Sequence, residues 1–230
     1  MNKIGIICAM ETELDELLQG MDSVEEVKII GIKFYCGILN DKEIILSLCG
    51  VGKVNAAMAA TVLIERFNCD LIINSGIAGG VVPLKKRDSV IATKLMYHDV
   101  DVTGFGYPFG QVPGYPKEFI VNPSVLLLVK KIFSKLNLNF KTLPIVSGDK
   151  FVTSKEMLSG IEYTDGYAVE MEGAAIAQVC IKAGIDFIVI RYISDIIGEV
   201  NQEEDYAKFE AEMANRSASV TLEFLKNICS

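Results

Sequence analysis

Tryptophan is absent from this 230-residue chain, histidine occurs once, and there is no surplus of positive charge, the net charge being −8. Each shortage removes a class of function. The single histidine, His98, cannot join a second ring in a multi-histidine metal site, nor supply more than one Ser-His-Asp or Cys-His assembly, and it is expected to be structural. A negatively charged chain without a Lys/Arg cluster repels a phosphate backbone, which argues against nucleic acid as a partner. The six cysteines (Cys8, Cys36, Cys49, Cys69, Cys180 and Cys229) never form a C-x-x-C pair, and most sit in apolar runs. Free thiols packed as small hydrophobes fit a reducing, cytoplasmic setting better than structural zinc. No segment approaches the roughly 18 uninterrupted apolar residues of a membrane span. The opening from Met1 to Glu13 carries one lysine and a short apolar run, too little for a signal peptide. Internal repeats, low-complexity tracts and Pro/Gly/Ser-rich linkers are also missing, so residues 1–230 are expected to form a single domain.

What is present is a chain that is 50% hydrophobic, in which short β-branched runs alternate with longer helical patterns. Lys3–Cys8, Ile44–Cys49, Leu71–Ser75, Ser89–Thr93, Leu143–Val146 and Phe187–Ile193 read as strands. Glu11–Gln19, Val54–Phe67, Pro123–Leu138, Gly173–Ala183 and Glu203–Asn227 read as helices. Strands apolar on both faces and separated by helices imply a sheet covered on both sides, an α/β sandwich. Thr103–Pro116, rich in Gly, Pro and aromatics, has no clear period. A loop of that length is usually functional or an interface.

Two glycine motifs fail as nucleotide-binding loops. Gly50-Val51-Gly52-Lys53 has Ser47 where a phosphate loop needs its first glycine and Val54 where it needs a magnesium-binding hydroxyl. Gly76-Ile77-Ala78-Gly79-Gly80 is not G-x-G-x-x-G, and no acid follows at the dinucleotide distance. These turns are as compatible with plain strand-to-helix connections as with ligand contact. The acids are more telling. Glu13, Glu172 and Asp195 each follow an apolar run closely enough to project from strand ends into one crevice. Any one of them alone would read as a surface acid, but Asp195 at the end of the apolar run Phe187–Ile193 is expected to be partly desolvated and to retain its proton. Glu11 fits a simple helix-dipole role. Arg191, inside an apolar strand, requires an acidic partner or a polar cavity.

The order of these motifs resembles the bacterial 5′-methylthioadenosine/S-adenosylhomocysteine nucleosidases of the nucleoside phosphorylase superfamily. The resemblance rests on Lys3–Ile7 with Ala9–Glu13, Gly52-Lys53-Val54, Asn74–Gly80, Tyr97-His98-Asp99, Asp101-Val102-Thr103, Phe105-Gly106-Tyr107, Val146–Asp149, Val169-Glu170-Met171-Glu172 and Ile193-Ser194-Asp195. It implies a three-layer α/β/α sandwich with a mixed central sheet, acting without metal or cofactor on an adenine nucleoside. In such a site Asp195, oriented by Ser194, protonates purine N7, and Glu13 positions and deprotonates a water. Glu172 accepts from the ribose hydroxyls, Met171 packs on the sugar, Phe151 stacks on the base and the Val152 backbone reads its edge. Ala9, Ile77 and Gly79 line the pocket, and Arg191 lies near Glu13 and the water. Ile77 stands where the family commonly has a serine touching that water, and Lys86-Arg87 replaces a more usual x-Gly. The family is homodimeric, with Val102, Phe105, Tyr107 and Pro113 closing the alkylthio pocket of the other subunit. Phosphorylases of the same fold carry arginines on the first loop and before the glycine turn; here Met10–Glu13 and Asn74 hold those places, which favours water over phosphate. The remaining alternatives are a hydrolase of futalosine or 5′-deoxyadenosine, a phosphorylase, and a catalytically weakened nucleoside-binding protein.

Overall fold

A computed structural model describes residues 3–228; Met1, Asn2, Cys229 and Ser230 lie outside the described residues. Its strands are β1 (Lys3–Cys8), β2 (Asp22–Ile29), β3 (Ile32–Leu39), β4 (Lys42–Leu48), β5 (Leu71–Gly80), β6 (Ser89–Tyr97), β7 (Phe119–Ile120), β8 (Lys141–Ser147), β9 (Ala168–Glu170) and β10 (Asp186–Ile196). The helices are α1 (Glu11–Gln19), α2 (Lys53–Glu65), α3 (Pro123–Lys135), α4 (Gly173–Ala183) and α5 (Gln202–Ile228). Local chemistry sets several boundaries. Asn122 accepts from the Ser124 N–H at 2.9 Å ahead of Pro123, which starts α3, and Gly184 at φ 72° stops α4.

All ten strands join one mixed sheet. One wing runs β5-β1-β4-β3-β2, parallel through β4 and antiparallel beyond it. Along its other edge β5 pairs with β10 over its whole length, while beyond β1 its end pairs with β9, and the path β10-β6-β8-β9 returns to β5. The sheet therefore closes there into a five-stranded ring, a curl that a sequence pattern of alternating strands and helices does not specify. Helices α1, α3 and α5 pack together or against β10 on one face, and α2 and α4 cover the other. The expected α/β/α layering is present, with the core concentrated on the apolar runs of β1, β4, β5 and β10.

The six strands expected from the sequence all recur, most of them longer than expected, and β2, β3, β7 and β9 are additional. β2 (DSVEEVKI) is exposed along nearly its whole length and lies at the sheet edge, where charge protects against unwanted pairing. Two tight turns order this wing: Ile30-Gly31 and Asn40-Asp41 all have positive φ, the requirement of two-residue hairpin loops.

Candidate active site

β5 and β10 lie side by side, and the last residues of β5 separate two buried carboxylates. Glu13, in the first turn of α1, folds back so that its Oε2 accepts from the N–H groups of Ala9 (2.9 Å) and Met10 (3.2 Å). Burial pushes its carboxyl up, against the pull of Arg191 and of the backbone donors Met10, Ala9 and Ile77. Gly76 makes this possible, because a Cβ there would stand 2.6 Å from Glu13 Oε1. Gly79 does the same three residues on: its Cβ would be 3.2 Å from Asp195 Oδ2. Gly76–Gly80, expected as a turn, is the end of strand β5, and its glycines clear space for an acid on either side, a close-approach role rather than a phosphate cradle.

Asp195 owes its aim to an irregularity. The β10–β5 register slips between Ile193 and Asp195, as a β-bulge does when it redirects a side chain. The Ser194 hydroxyl donates to Asp195 Oδ1 at 2.6 Å, and the Gln202 amide donates to Oδ2 at 2.9 Å. Burial raises the Asp195 carboxyl above the ordinary range, and the hydrogen bonds from Ser194 and Gln202 only partly offset it. Glu172, at the entry to α4, accepts from Gly52 N–H at 2.9 Å. Burial and the neighbouring Glu170 push it up to about 7, against the attraction of Arg191.

Arg191 is fully buried behind these acids rather than on the cleft wall. Its acidic partner is Glu170, with Glu172 Oε2 at 3.7 Å, and its guanidinium also donates to Asn74 Oδ1 and, at 3.1 Å, to the Ile190 carbonyl. Glu170 in turn accepts from Ser147 and from the N–H groups of Glu172 (3.1 Å) and Gly173 (2.8 Å) at the start of α4. The pair fixes the turn that presents Met171 and Glu172. Its charge also reaches Glu13, whose carboxyl it pulls down.

A second polar knot holds the opposite rim. Asp99 Oδ2 accepts from Lys53 Nζ at 2.6 Å and from Asp149 N–H at 2.9 Å, while Lys53 N–H donates to Asp149 Oδ1 at 2.8 Å. One carboxylate thereby ties the Gly50–Lys53 turn, which carries the Gly52 donor to Glu172, to the loop that carries Phe151 and Val152.

Glu13, Asp195, Glu172, Ser194, Met171, Phe151, Val152, Gly79, Ala9 and Ile77 all face one cleft of about 630 Å³, counting its open mouth. Val102, Phe105, Tyr107 and Pro113 are not on its wall; they lie in or, for Val102, just before the aperiodic loop, where Phe105 is 84% exposed. His98 is buried with neither ring nitrogen hydrogen-bonded, and burial lowers its pKa. Sequence reasoning missed Gln202 and Tyr206, both on the first turns of α5. Gln202 also donates to the Val152 carbonyl at 2.8 Å, and Tyr206 meets Phe151 edge-on with ring centroids 5.4 Å apart. Neither has a signal in the pattern, since a glutamine and a tyrosine at a helix start are ordinary there.

The profile of the Phosphorylase superfamily matches residues 3–226. A Staphylococcus haemolyticus 5′-methylthioadenosine/S-adenosylhomocysteine nucleosidase is 41% identical over 97% of this chain and 99% of that one. The chain belongs to this nucleosidase family. The nucleosidase of Neisseria meningitidis, solved with methylthio-immucillin-A, superposes with a TM-score of 0.93 at 37% identity, over 99% of this chain and 100% of the other. A Helicobacter pylori futalosine hydrolase also shares the fold, with a TM-score of 0.91 at 33% identity over 98% of each chain. Within the nucleosidase family the expected acids, Glu13, Glu172 and Asp195, occupy a common cleft here, while Arg191 stands behind it.

Proposed function

We propose that the chain hydrolyses the N-glycosidic bond of 5′-methylthioadenosine and S-adenosylhomocysteine, releasing adenine with 5-methylthioribose or S-ribosylhomocysteine, as methionine salvage and methyl-group recycling require. The observation that carries this reading is the pair of buried carboxylates, Glu13 and Asp195, each fitted against a glycine of β5 in the same cleft. An acid raised by burial holds the proton that a departing purine needs, and a base raised by burial takes a proton from water more readily. As the C1′–N9 bond breaks, the Asp195 proton passes to N7. The water oxygen bonds to C1′ and gives its proton to Glu13. Glu172 accepts from the ribose hydroxyls, strengthening the hold on a sugar that becomes oxocarbenium-like. Phe151 offers its exposed ring face to the base, and Met171 packs against the sugar.

Water is favoured over phosphate because three carboxylates face the cleft while Arg191 is engaged with Glu170. Asn74 is also committed, its amide donating to the Ile7 carbonyl at 2.9 Å. We read residues 1–230 as one catalytic domain, working in the cytoplasm, where its free thiols stay reduced, and as a homodimer. The exposed Phe105 loop, with Val102, Tyr107 and Pro113, would reach the alkylthio end of the partner's site.

The decisive experiment measures adenine release from both thio-nucleosides with and without phosphate, alongside Asp195→Asn. Phosphate-independent release, reduced on the order of 10²-fold or more by Asp195→Asn, is expected. A requirement for phosphate would make the chain a phosphorylase. Undiminished turnover by Asp195→Asn would remove the acid from its role.

A further inference from the structure

Gln202 makes an unusual pair of contacts. Its side-chain nitrogen donates to Asp195 Oδ2 at 2.9 Å and to the Val152 carbonyl at 2.8 Å. One planar NH₂ group thus spans the two acceptors that sit where a bound purine would be read. Adenine has one group of that chemistry, its exocyclic amine, which lies beside N7 on the ring. A base whose N7 faces Asp195 would bring its amine to this same place, and two nitrogens cannot share it.

We propose that in the empty protein Gln202 occupies the amino-group subsite of the base pocket, so that adenine binds by displacing a side chain of the chain itself. This inference rests on the reading of the cleft as an adenine-nucleoside site. The plug is built rather than accidental. Gln202 is only 5% exposed, and its Oε1 accepts from Gly198 N–H at 3.0 Å, closing the loop between β10 and α5 upon itself. Four residues on, Tyr206 lies edge-on against Phe151 and reaches Met10 Sδ with its hydroxyl at 3.9 Å. The first turn of α5 therefore covers the base pocket with one side chain and fills it with another. Displacement breaks the two amide contacts and frees the helix turn to move, and the base then restores both contacts with its own amine. The site loses no hydrogen bond, but the apparent affinity falls by the fraction of molecules in which the subsite is vacant.

This arrangement is opposite in sign to a supporting role. Were Gln202 a fixed ligand for the base, its removal would weaken binding; as an occupant, its removal strengthens it. Isothermal titration of adenine into the whole protein and into Gln202→Ala distinguishes the two. Two hydrogen bonds of ordinary net strength correspond to a roughly five- to 150-fold fall in the adenine dissociation constant of Gln202→Ala. Gln202→Met, which keeps the bulk but has no donor, should tighten adenine binding in the same direction, and both variants should show stronger product inhibition by free adenine. Unchanged or weaker binding in both variants overturns the proposal. Adenine-releasing activity in the unaltered protein together with that result would sink the plug and leave the nucleosidase reading standing. Failure of every form to bind adenine or to cleave methylthioadenosine would remove both.

Discussion

Glu172 shows how one residue can carry opposed demands. Its carboxyl is buried beside Glu170, yet a ribose-binding acceptor is most useful ionised. Burial raises it from the ordinary glutamate value of 4.5 to about 7. Between those values the folded protein holds a proton that the unfolded chain has released, so folding stability declines as pH rises through this window. Below it both states are protonated and the contribution is fully present. Glu172→Gln cannot titrate and lacks this decline. Thermal melts from pH 5 to pH 8 should show the variant gaining on the unaltered protein as pH increases; parallel curves would mean that Glu172 is ionised throughout. The acids at strand ends were legible in the sequence because a carboxylate following an apolar run stands out. The partner of Arg191 was not: an arginine in a strand demands an acid, but only the fold selects Glu170 over Glu13. Gln202 gave no such cue, because an uncharged amide is unremarkable before its neighbours are known.

At the scale of elements, the end of β5 is what brings the chemistry together. Its glycines leave room for carboxylates, so a single added methyl should act on catalysis rather than on the core. Gly76→Ala places a carbon 2.6 Å from Glu13 Oε1 and displaces that carboxyl, whose other oxygen Ala9 and Met10 hold. A loss of turnover on the order of 10²-fold or more is expected, with adenine binding largely kept, since the base lies at the Asp195 end. Equal losses of both would place the two acids on one shared contact instead. Helices α1 and α4 match their sequence boundaries because their apolar periodicity is strong and their ends are punctuated, α4 by Gly184. β2 escaped notice because its residues face solvent, and a strand that buries little leaves no alternation to read.

For the whole molecule, the closed ring of strands makes one wall of the cleft continuous, while the loop containing Phe105 stands away from it. An aromatic ring that is 84% exposed beside the half-exposed Tyr107 is costly to leave in water and fits an interface. Sedimentation is expected to give a mass about twice the 25.2 kDa of the chain. Phe105→Ala should reduce kcat/KM on the order of tenfold while leaving the melting temperature of a dissociated chain unchanged. A monomer with full activity would show that each cleft is complete by itself. The ring closure was not legible because it depends on β5 pairing on both sides with strands more than 80 residues away, β9 and β10, and no local pattern records such a choice.

The two glycines that face the acids are three residues apart on β5, about 10 Å of strand. On the proposed roles, Glu13 ends each turnover one proton richer and Asp195 one proton poorer, and no hydrogen bond joins the two carboxyls. The protein that releases products is therefore a charge isomer of the one that bound substrate, and it regains its starting form only through water, once the cleft has emptied.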